Sequence, residues 1–89
     1  MKAIVTVIGK DQMGIIASVC NTLHEQQINV LDISQTVLQD YFTMIMLADI
    51  SACTTPFSDL GALLQESGKS RGLDIRIQRE EIFNAMHKI

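Results

Sequence analysis

The residues whose types could do chemistry gather in one short segment, the turn that follows the first apolar run of the chain. The segment reads Gly9-Lys10-Asp11-Gln12-Met13-Gly14 and leads into an apolar-periodic stretch that opens at Ile15. A turn that feeds a helix start exposes free backbone N–H groups and the positive end of the helix dipole. Because Gly14 has no Cβ, a small anion could approach the backbone there. The turn therefore favours a carboxylate.

Two side chains could receive the ammonium of a zwitterionic ligand. Asp11 lies in the turn, and Asn29 stands where the second apolar run begins. Lys10 adds one positive charge for the carboxylate, whereas a nucleotide with several phosphates would need more cations. The predicted ligand site comprises Lys10, Asp11, Gln12, Met13, Gly14, Ile15 and Asn29. We predict that an amino acid suits this site better than a nucleotide, and that a second subunit lies against it.

Each of these residues also has a purely structural interpretation. Gly14 could serve tight packing of the helix on the sheet, and Asp11 could be a plain helix cap. Asn29 could satisfy only the turn that leads into the second strand. The residue types alone leave both interpretations open.

The other residues with reactive or metal-binding side chains form no recognisable constellation. Cys20 and Cys53 lack a C-x-x-C spacing, so we expect reduced thiols inside the protein. His24 and His87 stand singly at predicted helix ends, and no third ligand has a suitable spacing. We therefore predict no metal, no cofactor and no catalytic residue, so the protein is not expected to be an enzyme.

Composition narrows the class of partner. The 89 residues suffice for one domain, and a hydrophobic fraction of 47% is enough for a core. The net charge is -3 and no arginine precedes Arg71, which argues against a surface for DNA or RNA. No stretch is long enough to span a membrane, and the N-terminus shows no cleavage-site pattern. We expect a cytoplasmic protein that binds neither nucleic acid nor membrane.

Hydrophobic periodicity predicts seven elements. They are strands over 2–8, 28–38, 41–50 and 73–78, helices over 13–26 and from 56 to about 71, and a C-terminal helix over 80–89. Gln39-Asp40 is a two-residue turn candidate between strands 2 and 3. The predicted fold is an α+β ferredoxin-like βαββαβ sandwich, with an antiparallel four-stranded sheet of order 4-1-3-2 and two helices on one face. A single domain, 1–89, would consist of a core over 1–79 and the C-terminal helix.

The apolar patterns also predict which faces are buried. The stripe of the first helix comprises Ile16, Val19, Cys20 and Leu23, and that of the second comprises Phe57, Leu60, Gly61 and Leu64. Thr54-Thr55-Pro56 predicts a threonine cap with proline at the first helical position. The methionines Met13, Met44, Met46 and Met86 are expected to fill the core.

The strand patterns predict an oligomer. Strands 1 and 3 are apolar on both faces, yet the two main helices cover only one face. Strand 2 is expected at an edge, with one face formed by Val30, Asp32, Ser34, Thr36 and Leu38. An exposed edge strand could pair with its twin in a second copy, so we predict a homodimer.

The turn residues, together with Val19, Leu23 and Asn29-Val30, resemble the ACT domain family. The family pattern is a strand, a D-x-x-G-type turn, a helix with apolar residues at fixed steps, and an N-[IV] pair entering the next strand. The resemblance covers nearly the whole chain. It is greatest to small stand-alone ACT proteins and to the ACT domains of a glycine cleavage system repressor. It implies a regulatory module whose amino acid ligand lies at a subunit interface.

Three other classes of protein share this topology or size. An acylphosphatase-type enzyme would need an arginine in the first strand–helix turn, which offers only Lys10. An RNA-recognition module would show exposed aromatic residues on the central strands among basic charge, and only Tyr41 and Phe42 are candidates. A ligand-free assembly module that regulates a partner protein is the main alternative.

Overall fold

The computed structural model describes residues 1–10 and 13–81. They form β1 (Lys2–Lys10), α1 (Ile15–Glu25), β2 (Asn29–Leu38), β3 (Tyr41–Asp49), α2 (Phe57–Lys69) and β4 (Asp74–Arg79). The sheet order is β2-β3-β1-β4 with antiparallel neighbours, which confirms the predicted order and the ferredoxin-like fold. The C-terminal helix over 80–89 remains a prediction, because residues 82–89 lie outside the described part of the chain.

The core lies between the sheet and the two helices. Ala3, Val5 and Val7 are fully buried on one side of β1. Their antiparallel partners on β3 are also fully buried: Ala48, Met46 and Met44. The same cluster contains the buried residues of the helices: Ile15, Val19, Leu23, Leu60 and Leu64. Alternation along β1 and β3 thus directs every second side chain to the helices.

The opposite face of the sheet carries apolar side chains that no described element covers. Ile8 is 46% exposed and Ile45 is 40% exposed, while Ile4 and Leu47 are half-buried. We name these four residues the open face. Its apolar character follows from the two-sided apolar pattern of β1 and β3, as the sequence predicted.

The edge strand β2 departs from the predicted alternation. Its register with β3 shifts between Val30, opposite Ala48, and Asp32, opposite Leu47. Leu31 is the extra residue of this β-bulge, so Val30 lies on the helix side of the sheet with Ile33. The predicted face that joined Val30 to Asp32 is therefore wrong, because a bulge reverses the alternation that a regular strand would keep.

The two helices begin one or two residues away from their predicted starts. α1 begins at Ile15, which is buried, whereas Ile16 is 40% exposed and Cys20 half-buried. The buried stripe is therefore Ile15, Val19 and Leu23 instead of the predicted set that began at Ile16. Val19 and Leu23 belong to both stripes, and the difference is that the buried face is centred on the Ile15 side, about 100° around the helix from Ile16.

The start of α2 corrects the predicted threonine cap. Pro56 is itself the residue that precedes the helix, with ψ of 144°, and no side chain caps the first turn. The Thr55 hydroxyl instead donates to Gln26 Oε1 at 2.7 Å, which ties this loop to the end of α1. Of the predicted stripe, Leu60 and Leu64 are buried, Phe57 and Gly61 are half-buried, and Gly68 joins them.

The predicted hairpin turn is confirmed. The β2–β3 hairpin turns at Gln39 and Asp40, and Gln39 has φ of 55°. The chain leaves α2 through Gly72, whose φ of 70° is a left-handed conformation that glycine adopts without a steric cost. Within residues 1–10 and 13–81, no helix is long and apolar enough to cross a membrane.

Candidate ligand site at the strand–helix turn

The predicted turn lies where β1 ends and α1 begins. Lys10 is the last residue of β1, is exposed, and pairs with Tyr41 of β3. Met13 is 96% exposed, so it is not the core filler that its residue type suggested. Ile15 is buried beneath the first turn of α1 and cannot contact a ligand with its side chain. Asp11 and Gln12 lie outside the described residues.

Gly14 precedes α1 in a left-handed conformation, with φ of 83° and ψ of 9°. Its carbonyl accepts the hydrogen bond from the Ser18 N–H at 2.9 Å, which begins the helical pattern. A Cβ built on Gly14 would come no closer than 3.8 Å to another group, the Nη1 atom of Arg71. Tight packing therefore does not explain this glycine. The positive φ explains it, and the space in front of its backbone is open.

Among the described residues, no side chain accepts a hydrogen bond from the first N–H groups of α1. No side chain caps the helix, and its first turn contains no acidic residue. The first N–H groups of a helix have no partner inside the helix. They point outward together with the positive end of the dipole, an arrangement that suits an anion.

Arg71 adds a second cation to the turn. Its Nη1 atom donates to the Met13 carbonyl oxygen at 3.4 Å, which places the guanidinium beside the start of α1. This arginine comes from the loop between α2 and β4, 58 residues further along the chain. Our motif-based reading of the turn missed it. The signal was in the topology, because β4 beside β1 places the loop before β4 next to the turn after β1.

Asn29 does not join the turn within one chain. It is the first residue of β2 and pairs with Asp49, which pairs with Lys2 at the start of β1. Lys10 stands at the other end of β1. The eight steps between Lys2 and Lys10 span about 27 Å at the rise of an extended strand. An amino acid cannot bridge that distance.

At the Asn29 end of the sheet, two hydrogen bonds from Ser51 stabilise the charged form of Asp49. A hydrogen bond from the Ser51 hydroxyl to Asp49 Oδ1, at 2.6 Å, is the main cause that lowers the pKa of Asp49 from its ordinary value of 3.8. The Ser51 backbone N–H donates to the same oxygen at 2.9 Å. Among the described residues no group of three acidic, cysteine or histidine side chains is placed to hold a metal ion.

Comparisons with known proteins agree with this architecture. A family model described as the ACT domain matches residues 2–78. A UPF0237 protein of Clostridium acetobutylicum is 55% identical over 89 residues, which cover all of both chains.

Two solved structures extend the comparison. An ACT domain protein from Streptococcus pneumoniae has a TM-score of 0.84 and 42% identity, and the match covers 98% of each chain. A proposed glycine cleavage system transcriptional repressor has a TM-score of 0.72 and 21% identity over 88% of this chain and 44% of its own, and so shares the fold.

Proposed function

The chain belongs to the ACT domain family, and on that premise we propose that it is a non-catalytic regulatory module that binds an amino acid at the turn of residues 10–15. The observation that carries the proposal is the N-terminus of α1 behind the left-handed Gly14, which no side chain within residues 1–10 and 13–81 caps. Lys10 and Arg71 place two cations around it. The ligand carboxylate accepts hydrogen bonds from the first N–H groups of α1, where both charge and dipole favour it.

The ammonium of the ligand needs hydrogen-bond acceptors. None of the described side chains of the turn, Lys10, Met13 and Ile15, can act as one. Asp11 is one candidate by sequence. Asn29 is the other, and it can take part only from a second copy, because it lies at the far end of its own sheet. A site that includes Asn29 therefore requires a homodimer.

Edge-to-edge pairing of β2 with its twin provides such a dimer. Antiparallel pairing around the middle of β2 sets Asn29 of one copy opposite Leu38 of the other. Leu38 pairs with Tyr41, and Tyr41 pairs with Lys10. Asn29 then lies about three strand spacings, about 14 Å, from Lys10 of the second copy. This is half the separation within one chain.

Apolar side chains support pairing at this edge. Ile33 is 41% exposed and Val37 is 52% exposed on β2, and Ile16 of α1 is 40% exposed. A sheet edge with such residues is a favourable surface for a second strand. The unpaired edge and the open face also favour the second candidate function, a ligand-free assembly module that regulates a partner protein.

Thermal or urea unfolding with a panel of amino acids tests the ligand. At a concentration one hundred times its dissociation constant, a ligand adds about 2.7 kcal/mol to the free energy of unfolding. The variant Lys10→Met should reduce this gain. Lys2→Met is the matched control, because Lys2 is the exposed first residue of the same strand.

The outcomes separate the two candidate functions. Equal stabilisation of both variants and the wild type would show that the ligand binds elsewhere. If no amino acid stabilises the wild type, the ligand is absent and the assembly module is the better account. Gly14 is unsuitable for this test, because any side chain there is strained at φ of 83° whether or not a ligand binds.

Sedimentation tests the dimer. Ile33→Lys places like charges near the centre of the proposed β2–β2 contact and should yield a 9.9 kDa monomer. Ile45→Lys, on the open face, is the control and should leave the dimer intact. If Ile45→Lys yields the monomer and Ile33→Lys does not, the interface lies on the open face instead of the edge. A monomeric wild type would contradict the dimer itself.

A further inference from the structure

A cavity of about 270 Å³ lies at the end of the sheet opposite to the amino acid site. It opens between the loop after β3, the start of α2 and the last residue of β4. Its apolar lining includes Ile50, Phe57 and Leu60, and its polar lining includes Ser51, Thr55 and Arg79. The proposed amino acid site uses none of these residues.

Arg79 stands at a position that otherwise faces the core. It is the last residue of β4 and pairs with Ala3, which is fully buried on the helix side of β1. The two preceding residues on that side of β4 are Ile75, which is buried, and Ile77, which packs against the core. A cation therefore occupies the third place in an apolar row.

The guanidinium of Arg79 lacks an acidic partner in the described part of the chain. Its central carbon lies 5.2 Å from the ring centre of Phe57, so it stacks on the aromatic ring. Its Nε atom is buried and has no hydrogen-bond partner, and no other described side-chain nitrogen or oxygen shares that state. The two ion pairs among these residues involve Asp49 and Asp74. A buried donor without an acceptor is rare and unfavourable, especially on a charged group.

The start of α2 adds to the positive potential of the cavity. Pro56 precedes the helix without a side-chain cap, and its neighbours Thr55 and Phe57 both line the cavity. The first N–H groups of α2 and the positive end of its dipole lie at this side. Asp59, the acidic residue of the first turn, is exposed and does not line the cavity.

We propose that this cavity is a second binding site, which holds a small apolar monocarboxylate. The carboxylate accepts hydrogen bonds from the Arg79 guanidinium, and the apolar body of the ligand packs on the half-buried Phe57. A cavity of about 270 Å³ is slightly smaller than most ligand pockets, which run from about 300 to 1,000 Å³. It suits a short branched or aromatic acid and excludes a nucleotide.

Isovalerate and benzoate are the probes for this site. Each is titrated into the full-length ¹⁵N-labelled protein, and amide shifts are expected at Ser51, Phe57 and Leu60. Isovaleramide has the same shape without the charge, and we expect it to bind about tenfold more weakly or worse. The Lys10 turn should show no shift with these acids, which separates this site from the amino acid site.

Two arginines on the same strand provide the matched variants. Arg79→Met should weaken isovalerate binding about tenfold or more, whereas Arg76→Met should leave it unchanged. Arg76 is exposed and pairs with Asp74 at 3.2 Å. If Arg79→Met does not fold, Arg79→Lys serves instead, because lysine keeps the charge but loses the planar fork and should also bind more weakly.

Three results would overturn the proposal. The first is an absence of shifts with both acids up to about 10 mM, a concentration at which even weak sites fill. The second is a set of shifts that lies away from the cavity. The third is binding to the Arg79 variants that equals binding to the wild type.

Discussion

At the end of the sheet where β1 finishes, positive charge is exposed to water: Lys10 and Arg71 are both exposed, and Arg71 donates to the Met13 carbonyl oxygen. At the opposite end, Arg79 is half-buried and stacks on Phe57, the first residue of α2. Exposed cations attract an anion at little cost, whereas a half-buried cation raises the free energy of the fold until an anion joins it. The first end therefore suits reversible sensing of a polar zwitterion, and the second suits a small apolar acid.

The two ends also differ in how closely α2 packs. Near the β1–α1 end, a Cβ on Gly68 would lie 2.8 Å from Ile75 Cδ1 and 2.9 Å from the Leu73 carbonyl oxygen. Nearer the Arg79 end, a Cβ on Gly61 would meet only Ile77 Cγ2, at 3.8 Å. The same helix is thus close to the sheet at its C-terminus and has space along its first half. Each of the following predictions tests one side of this contrast.

The largest effect is expected from Gly68→Ala. The added methyl would overlap a backbone oxygen that cannot move freely, so we expect a loss of about 2 kcal/mol in the free energy of unfolding. Gly61→Ala is the control on the same helix and should gain up to about 1 kcal/mol, because alanine favours the helix and fits at 3.8 Å. Urea unfolding measures both. Equal stabilities would show that α2 packs uniformly along its length.

The next effect concerns the turn itself. Gly14→Ala should cost about 1.5 kcal/mol, because a residue with a Cβ resists the φ of 83° that the chain adopts there. Gly14→Asn should cost less than half of that, since asparagine tolerates the left-handed region. Urea unfolding without ligand is the measurement. A harmless alanine would mean that the turn does not require the left-handed conformation.

A smaller effect of opposite sign is expected at the other end. Arg79→Met should raise the free energy of unfolding by about 1 kcal/mol, because it removes a buried donor without a partner and keeps an apolar side chain on Phe57. Arg76→Met, on the exposed face of the same strand, should change it by less than about 0.5 kcal/mol. A destabilised Arg79→Met would instead show that the stack on Phe57 outweighs the unpaired nitrogen.

The strand order could be predicted from sequence because it depends on coarse signals. Two-sided apolar strands belong in the centre of a sheet, and a two-residue turn after Leu38 requires a hairpin. The exact starts of the helices could not be predicted from sequence, because they depend on a residue in the left-handed conformation and on tertiary partners. Thr55 has the residue type of a cap, but its hydroxyl bonds Gln26, which is 29 residues away. The bulge at Leu31 is likewise a local backbone choice that alternation does not reveal.

Only part of the candidate site could be predicted from the sequence. The turn and its glycine are contiguous, so the motif alone could place Lys10 and Gly14 just before the start of α1. Arg71 arrives from a distant loop, and only the predicted order of β4 beside β1 could have located it. The same topology should have separated Asn29 from the turn, because β1 and β2 start at one end of the sheet. Arg79 stands between the predicted strand over 73–78 and the predicted helix over 80–89, and nothing in its neighbours signals a cavity.

The smallest predicted effect is a pH dependence at the end that holds the cavity. The Ser51 hydroxyl is the main cause that lowers the pKa of Asp49 below 3.8, so a folded-state carboxylate holds its charge to lower pH than an unfolded one. This interaction contributes stability above the unfolded pKa and loses it as pH falls through the folded pKa. Because Asp49 is exposed, we expect a shift in its titration and little change in stability.

The variant Ser51→Ala isolates that hydroxyl, because the Ser51 backbone N–H still donates to Asp49 Oδ1. We expect the Asp49 pKa to rise toward its ordinary value and to remain somewhat below it. Carbon-detected NMR titration of the Asp49 carboxyl between about pH 2 and 6 measures the midpoint, a range that brackets ordinary aspartate values. Ser34→Ala, on β2, should leave the midpoint unchanged. If Ser51→Ala also leaves it unchanged, the 2.6 Å hydrogen bond does not persist in solution, and the loop beside the cavity is looser than the contrast between the two ends requires.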